Sequence, residues 1–525
     1  MKNLLQYDTA VFTSKENYNK YKVNSLLKIE DYDLFYPPFT SELIGDYKKV
    51  YVIGTEACSL LNLPALFVNS YNYVVLPILP KNHSDLSYQL TLNQDIFLPI
   101  LPIKDLIENS NFLYISLQLS GESSFLSIYD NNKKSTFHYS GYLSKNEIDL
   151  LKSLSNAKVT LVTLDSKHLF KTLEKLNINY QGQILDVNLL YYIVTGEAIT
   201  AQDLLKSYNY YWNTKLISKN IYNIYSDLYN IASKQNKLEL YKSSILIKNI
   251  LLDMELRGVN LAPNKEDYSF YQKNKECDIK GKFHPYFNQL TSSGRIYANA
   301  PPITNTPREE RNLYVPHDKN KVLFSMDFNQ IEYRIMASLL NLDTLILGFK
   351  NNIDFHTSTA MLLYGEKDPL KITPEQRQEG KQVNFSVLYG QSLKTALPKV
   401  KEEFQKIIVS KNCFLDSIRK NKEIVTPFSR AVSFTKLDED TRRKIFNFYI
   451  QSTATDVVLS FLIKLKQKLV IDKKPITVYN IIHDSIILET YPEDVDYIKK
   501  ITTDLVETEL NFEWLKVKLL LKYEE

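Results

Sequence analysis

Lys321-Val-Leu-Phe-Ser-Met-Asp327-Phe-Asn-Gln330-Ile-Glu332-Tyr-Arg334 is the stretch whose reading decides the fold. A β-type apolar run ends at Asp327, and a helical pattern follows it. A second stretch, Thr477-Val-Tyr-Asn-Ile-Ile-His483-Asp484-Ser485-Ile-Ile-Leu488, reads as one apolar strand interrupted by a charge at Asp484. A carboxylate in such a run is costly to desolvate unless a cation or hydrogen bonds compensate it. Two such carboxylates binding a pair of magnesium ions roughly 3.5 to 4 Å apart would activate an attacking hydroxyl and neutralise a leaving phosphate. The pair Asp327 and Asp484 therefore points to phosphoryl transfer.

Between them lies Arg377-Gln-Glu-Gly-Lys381-Gln-Val-Asn384-Phe385-Ser-Val-Leu-Tyr389-Gly390. On a helix of about 3.6 residues per turn, Arg377, Lys381, Phe385 and Tyr389 fall on one slanting stripe. Its first half is cationic and its second aromatic. A triphosphate lies naturally along the one and a base against the other. Taken singly, each feature has a plainer reading. An aspartate at a strand end is commonly a turn residue or helix cap. A stripe of Arg, Lys, Phe and Tyr is commonly a solvated face running into a core face, and His356 or His483 alone would be a hydrogen-bonded structural group.

In this order the three stretches resemble the family A DNA polymerases. Asp327 to Arg334 is similar to that family's D-x-S-Q-I-E-x-R motif, with Asn329 in place of the serine. Arg377 to Gly390 is similar to R-x-x-x-K-x-x-N-F-G-x-x-Y-G, with Ser386 in place of the first glycine. His483-Asp484-Ser485 stands where the family has H-D-E, so a carboxylate is missing. Thr291-Ser-Ser-Gly294-Arg295 with Asn305-Thr-Pro307, Asp354-Phe-His356-Thr-Ser-Thr-Ala360, and Arg443 to Asp456 resemble three further segments of the same family. The resemblance runs from about Leu246 onward.

It implies an α+β right-hand polymerase with palm, fingers and a reduced thumb, preceded by an RNase H-like exonuclease-type domain and a small N-terminal α/β domain. The expected divisions are 1–105 (α/β accessory), 106–216 (exonuclease-like), 217–294 (connecting helices and reduced thumb), 295–341 (palm), 342–430 (fingers) and 431–525 (palm). The resemblance also implies roles for single residues. Asp327, Asp484 and the carbonyl of Phe328 would hold two Mg2+ ions. Arg377, Lys381, His356 and Gln330 would bind the nucleotide, with Lys381 also giving a proton to leaving pyrophosphate. Phe385 and Tyr389 would hold the nascent base pair, and Glu332 would close the space beside the sugar's 2′ position. Arg295, Asn447 and Gln451 would follow the primer-template minor groove, Arg443 the template, and His483 the primer end. The implied substrates are primer-template DNA and deoxynucleoside triphosphates, with a processivity or replisome protein as a further partner. Other readings are a repair or gap-filling polymerase and, from a different class, a catalytically dead nucleic-acid-binding scaffold; the intact Asp327 and Asp484 oppose the latter.

Two departures from the family stand out. The exonuclease-type region should carry acids on an opening strand, but Phe112-Leu-Tyr-Ile-Ser116-Leu-Gln118 has Ser116 and Gln118 there. Leu169 and Trp212 occupy the other two expected ligand positions. Without acids no magnesium pair is held for hydrolysis, so this region is read as an inactive, structural domain. The thumb is the second departure. Asp253-Met-Glu-Leu-Arg-Gly258 resembles the helix end that precedes a long helical thumb, yet Arg295 follows too soon for one. Weak unaided grip on DNA follows.

Composition sets the outer bounds. A chain of 525 residues has room for about three or four domains. Cys58, Cys277 and Cys413 are too scattered for a zinc motif or disulfide framework, which fits a reducing compartment. The first residues lack the apolar core of a signal peptide, and no run approaches the roughly 20 apolar residues of a membrane span. A soluble cytoplasmic protein is expected. The formal charge of +4 is too small to advertise nucleic-acid binding, so local clusters must carry it: Lys280-Gly-Lys282, Arg308 with Arg311, and Arg442-Arg443-Lys444. Thirty-seven tyrosines, with abundant Asn, Lys and Ile, fit an AT-rich genome such as that of a phage. Near the N-terminus, Lys48 to Leu61 and Tyr73 to His83 read as strand, glycine turn and helix, then strand. They are similar to part of a uracil-DNA glycosylase fold lacking its upstream catalytic motif, and are read as an inactive accessory domain.

Overall fold

The computed structural model describes residues 110–524 apart from 121–122, 142–144, 157–158, 211–215, 390–397 and 483, together with four strands before residue 110. The chain forms two compact units, Met1–Asn188 with Ile199–Asp227, and Leu189–Ala198 with Leu228–Glu525. The divisions expected at 105 and 216 both fall inside the first unit. Trp212, His483 and Gly390 lie outside the described residues.

In the first unit, β1 (Thr9–Thr13), β2 (Asp33–Phe35), β3 (Lys49–Ile53) and β4 (Asn72–Leu76) form a parallel sheet in the order β2-β1-β3-β4. Parallel neighbours require crossover connections, as an α/β reading of this stretch demands. A second sheet has the order β7-β6-β5-β8-β9. Its strands β5 (Phe112–Ser120), β6 (Ser123–Asp130) and β7 (Ser135–Gly141) form an antiparallel meander, β5 with β6 and β6 with β7. After α1 (Lys145–Asn156), β8 (Thr160–Thr163) returns parallel to β5, and after α2 (Ser166–Lys175), β9 (Ile184–Asp186) pairs parallel to β8. Leu113, Ile115 and Leu117 bury one face of β5 while Tyr114 and Ser116 are buried on the other. That double burial explains why the strand reads as a near-continuous apolar run. Asp165 begins α2, its side chain accepting from the backbone N–H groups of Lys167 and His168.

In the second unit, α3 (Leu238–Arg257) stops at Gly258, whose φ is +66°. A side chain there would also meet the Phe283 carbonyl at 2.6 Å, so glycine is required on both counts. Between Gly258 and Arg295 lie only short elements: β10 (Val259–Leu261), β11 (Lys282–Phe283), β12 (Tyr286–Asn288) and a six-residue helix Ser269–Asn274. β13 (Tyr297–Asn299) pairs with β12, and β14 (Tyr314–Val315) with β10.

The central sheet of this unit is antiparallel throughout, in the order β18-β19-β15-β20. Its middle strand β15 (Val322–Phe328) leads into α4 (Ile331–Leu339), as the sequence predicts. The helices α5 (Asp343–Lys350), α6 (Phe355–Tyr364), α7 (Pro374–Leu388) and α8 (Pro398–Ser417) follow. A hairpin of β16 (Glu423–Val425) and β17 (Ala431–Ser433) then precedes the 33-residue α9 (Glu439–Ile471). The last elements are β18 (Thr477–Ile482), β19 (Ser485–Thr490), α10 (Val495–Glu509) and β20 (Leu521–Glu524).

One expectation is corrected. Residues 477–488 are not a single strand but a hairpin, with Ile482 paired to Ser485. His483-Asp484 lacks the Asn-Gly or Gly-rich signature of a tight turn, so nothing local announced the reversal. Asp484 therefore sits at a hairpin tip, not within a strand. Elsewhere in this unit, Arg430 and Asp456 form a buried ion pair with three hydrogen bonds of 2.8 to 3.0 Å. Arg430 also donates to the Tyr192 hydroxyl at 3.3 Å.

Candidate active site

Asp327 stands opposite Ser485 in the β15–β19 register, which brings it beside the Asp484 hairpin tip. Burial, together with the charge of Asp484, pushes the Asp327 carboxyl above the ordinary carboxylate range. Neither aspartate forms a salt bridge with any basic side chain among the described residues, although both line a cavity open to ligands. Two close carboxylates lacking a basic partner make a hard-oxygen donor set, suited to a divalent cation of the magnesium type. Among the described residues no group of three or more His, Cys, Asp or Glu is arranged to hold a metal.

The turn that follows Asp327 is fixed by its neighbours. Arg334, buried on α4, donates to the Asn329 carbonyl at 2.9 Å and to the Lys518 carbonyl at 2.7 Å. Gln330 takes a left-handed conformation, φ 52°, to pass from strand to helix. For a residue with a β-carbon this costs on the order of 1 kcal/mol, which the surrounding contacts must offset.

α7 forms the facing wall. Thr373 and Gln376 make a reciprocal capping box at its start, with Pro374 in the first turn. Gly380 lets α7 approach α6: a β-carbon there would come within 2.3 Å of the His356 carbonyl. Asn384, almost fully buried, ties the two helices together. Its amide donates to the Phe355 carbonyl at 3.1 Å and to His356 Nδ1 at 2.9 Å, while its oxygen accepts from Thr359 at 2.7 Å. Because Nδ1 accepts, the His356 proton sits on Nε2. Burial lowers the ring's pKa to about 4, so it is neutral near pH 7.

Phe385 and Tyr389 stack at 5.6 Å with an 11° interplanar angle, and the Lys381 ammonium lies 5.7 Å from the Phe385 ring centre. The helical stripe is thus present, with Tyr389 as the C-cap residue of α7 and not a member of its body. The Tyr389 hydroxyl donates to Glu332, and Arg295 donates to the other Glu332 oxygen at 2.6 Å. Burial raises the Glu332 carboxyl, and these two partners work against that rise.

A cavity of about 500 Å³ collects these groups. Asp327, Phe328 and Asp484 line its floor, with Gln330 and Glu332 beside them. His356, Arg377, Lys381, Phe385 and Tyr389 line the α6–α7 side, while Arg295 and Gln451 also reach it. Asn447 and Arg443 do not line it; Arg443 is exposed and pairs with Asp440 at 2.7 Å. His483 lies outside the described residues.

Among the charged lining residues, Lys522 and Glu524 received no role from sequence, whereas Arg311 was expected only in a nucleic-acid-binding cluster. Lys522 and Glu524 enter from β20, where Lys522 faces Asp327 across the register, and Arg311 enters with a buried, unpaired Nε. The register of a last, short strand is invisible without the sheet. Asp354 was also missed as a partner, although an aspartate just before an apolar helical run is an N-cap signal.

Residues 265–524 match the sequence profile of DNA polymerase family A. The C-terminal half of the chain belongs to that family. The family A half is 30% identical over 275 residues to DNA polymerase I of Caldicellulosiruptor bescii, covering 47% of this chain and 32% of that protein. Against DNA polymerase I of Geobacillus stearothermophilus it is 28% identical over 275 residues, covering 47% and 31%. The match thus spans about a third of the length of these relatives. In fold, the chain is similar to the POL domain of Pol1 from M. smegmatis in complex with DNA primer-template and dNTP. That likeness has a TM-score of 0.69 at 16% identity and covers 81% of this chain and 98% of that one. No helix among the described residues is long and apolar enough to cross a membrane.

Proposed function

We propose that the chain is a template-directed DNA polymerase that adds deoxynucleotides to a primer 3′ end. The observation that carries this reading is the convergence, around one cavity, of the Asp327 and Asp484 carboxylates with the cationic and aromatic stripe of α7. Membership of the C-terminal half in DNA polymerase family A supports it.

In this reading Asp327 and Asp484, with the Phe328 carbonyl, hold two magnesium ions. When bound, these supply activation of the primer hydroxyl and neutralisation of the leaving pyrophosphate. Arg377 and Lys381 grip the triphosphate, and Lys381, which makes no ion pair among the described residues, donates a proton to pyrophosphate as it leaves. His356, neutral, donates from Nε2 towards the phosphates. Phe385 and Tyr389 stack on the new base pair. Glu332, pinned by Tyr389 and Arg295, presents a filled polar wall to a 2′-hydroxyl. Arg295 and Gln451 contact the primer-template from the cavity, with Arg443, Asn447 and His483 further along the duplex.

The first unit's β5 sheet then serves as an exonuclease-type domain without exonuclease chemistry. Ser116 and Leu169 stand buried where ligand acids would be needed. The short elements between Gly258 and Arg295 replace a long thumb, so the chain alone should release DNA often and gain grip from a processivity partner. We place it in a reducing cytoplasm, replicating an AT-rich genome such as a phage's. Primer extension tests the reading. The purified chain with Mg2+, a primed template and deoxynucleoside triphosphates should lengthen the primer according to template sequence. No extension at any Mg2+ or Mn2+ concentration would leave the nucleic-acid-binding scaffold as the better account.

A further inference from the structure

Arg377, the first cation of the α7 stripe, lines the cavity but its guanidinium is already occupied. Its Nε and Nη2 both donate to one oxygen of Asp354, at 2.9 and 2.7 Å. The other Asp354 oxygen has separate duties. It accepts from the backbone N–H groups of His356 and Thr357 at 2.9 and 3.2 Å, capping α6, and from Gln330 at 3.4 Å. One carboxylate therefore joins three parts of the site: the turn after Asp327, the start of α6 and the phosphate-facing wall of α7. Both ion-pair partners are more than a third exposed, so the pair is open to exchange with a ligand. Lys381, one turn along the same stripe, has no such partner among the described residues.

We propose that Asp354 is an internal competitor for Arg377, standing in for a phosphate until the substrate's triphosphate displaces it. This rests on the polymerase reading above. A guanidinium makes charge-assisted bonds of the same kind to a carboxylate and to a phosphate oxygen. A phosphate that takes the Nε–Nη2 edge of Arg377 breaks the Arg377–Asp354 ion pair, and the free energy of that broken pair weakens the net affinity. Once Arg377 turns to the phosphates, Asp354 keeps its cap on α6 and its link to Gln330. Asp354 is thus a positioning residue that sets how firmly the triphosphate is held.

The division of labour between its two oxygens makes a clean test. Asp354→Asn keeps an oxygen for the α6 cap and replaces the Arg377-facing oxygen with an amide that cannot accept. Steady-state extension on a primed template gives KM for the deoxynucleotide, and inorganic tripolyphosphate serves as a competing probe lacking base and sugar. In Asp354→Asn both the KM and the tripolyphosphate inhibition constant should fall by the same factor, about five- to tenfold. In an Arg377→Ala background the substitution should change neither. Asp354→Ser, which retains an N-cap oxygen but cannot reach Arg377, should reproduce the effect if the asparagine variant folds poorly. A KM that is unchanged or raised in both variants, or a shift that persists without Arg377, overturns the proposal. Wild-type chain that extends primers while the Asp354 variants behave like it defeats this inference alone. Wild-type chain that neither extends a primer nor responds to tripolyphosphate defeats the polymerase reading itself.

Discussion

The β5 sheet of the first unit and the β15 sheet of the second handle buried carboxylates in opposite ways. On the edge strand β9 of the first sheet, Asp186 is fully buried and accepts the Ser166 backbone N–H at 2.7 Å, a fixed donor that holds it in place. At the end of β15, Asp327 has a second acid next to it and no salt-bridge partner among the described residues, and burial, with that acid's charge, raises its carboxyl. The difference teaches what an acid in a sheet is for. A carboxylate met by fixed donors is structural, and one pressed against another acid is waiting for a cation. Leu169 makes the same point in reverse, since it belongs to the apolar cluster around β5 together with Leu113 and Ile115. On α2, the missing acid of the proposed exonuclease-type domain is a leucine used for packing.

The largest expected effect attacks the second sheet. Asp327→Asn or Asp484→Asn should each reduce primer extension on the order of a thousandfold or more while far-UV circular dichroism stays unchanged. Substantial Mg2+-dependent extension by either variant would place the chemistry elsewhere.

Asp456→Asn comes next, and its effect is on stability. It removes the counter-charge of a buried guanidinium, and breaking one side of such a pair costs about 3 to 5 kcal/mol. Chemical denaturation should show this loss. A variant as stable as the wild type would mean that Tyr192 and nearby carbonyls suffice for Arg430.

A third prediction concerns pH. Lys411 on α8 is buried, donates to the Leu388 carbonyl at 3.2 Å and lies over the Phe446 ring. Burial lowers its pKa to about 8. The unfolded chain therefore holds more protons than the folded one between about pH 8 and the ordinary lysine range, and stability should rise with pH across that window. Relative to Lys411→Met, the wild type should gain about 3 kcal/mol between roughly pH 7.5 and 10.5. Parallel stability curves for the two proteins would show that the lysine reaches solvent.

The smallest effect is on sugar choice. Glu332→Ala opens the wall beside the sugar and frees Tyr389 and Arg295, so discrimination against ribonucleotides should fall about tenfold. Competition between a ribo- and a deoxynucleotide at one template position measures it. Unchanged discrimination would assign the wall to another residue.

Much of this site was legible in the sequence because its signals are local. The apolar run into Asp327 and the four-residue stripe from Arg377 each follow from propensity and period. What stayed hidden depends on strand pairing. The reversal between Ile482 and Ser485 carries no turn signature, and Lys522 reaches the cavity only through the register of β20 against β15. Asp354 was visible as a helix cap, but its partnership with Arg377 required knowing that α6 and α7 pack at Gly380.

The most direct test of the contrast between the two sheets is one labelled primer, ending in a mismatch or a match, incubated with the purified chain and Mg2+. With deoxynucleotides the matched primer should lengthen, and with nucleotides withheld neither primer should shorten, in the wild type or in Asp327→Asn. Mg2+-dependent shortening that survives Asp327→Asn would contradict the account, because it would put working carboxylates in the sheet assigned to packing.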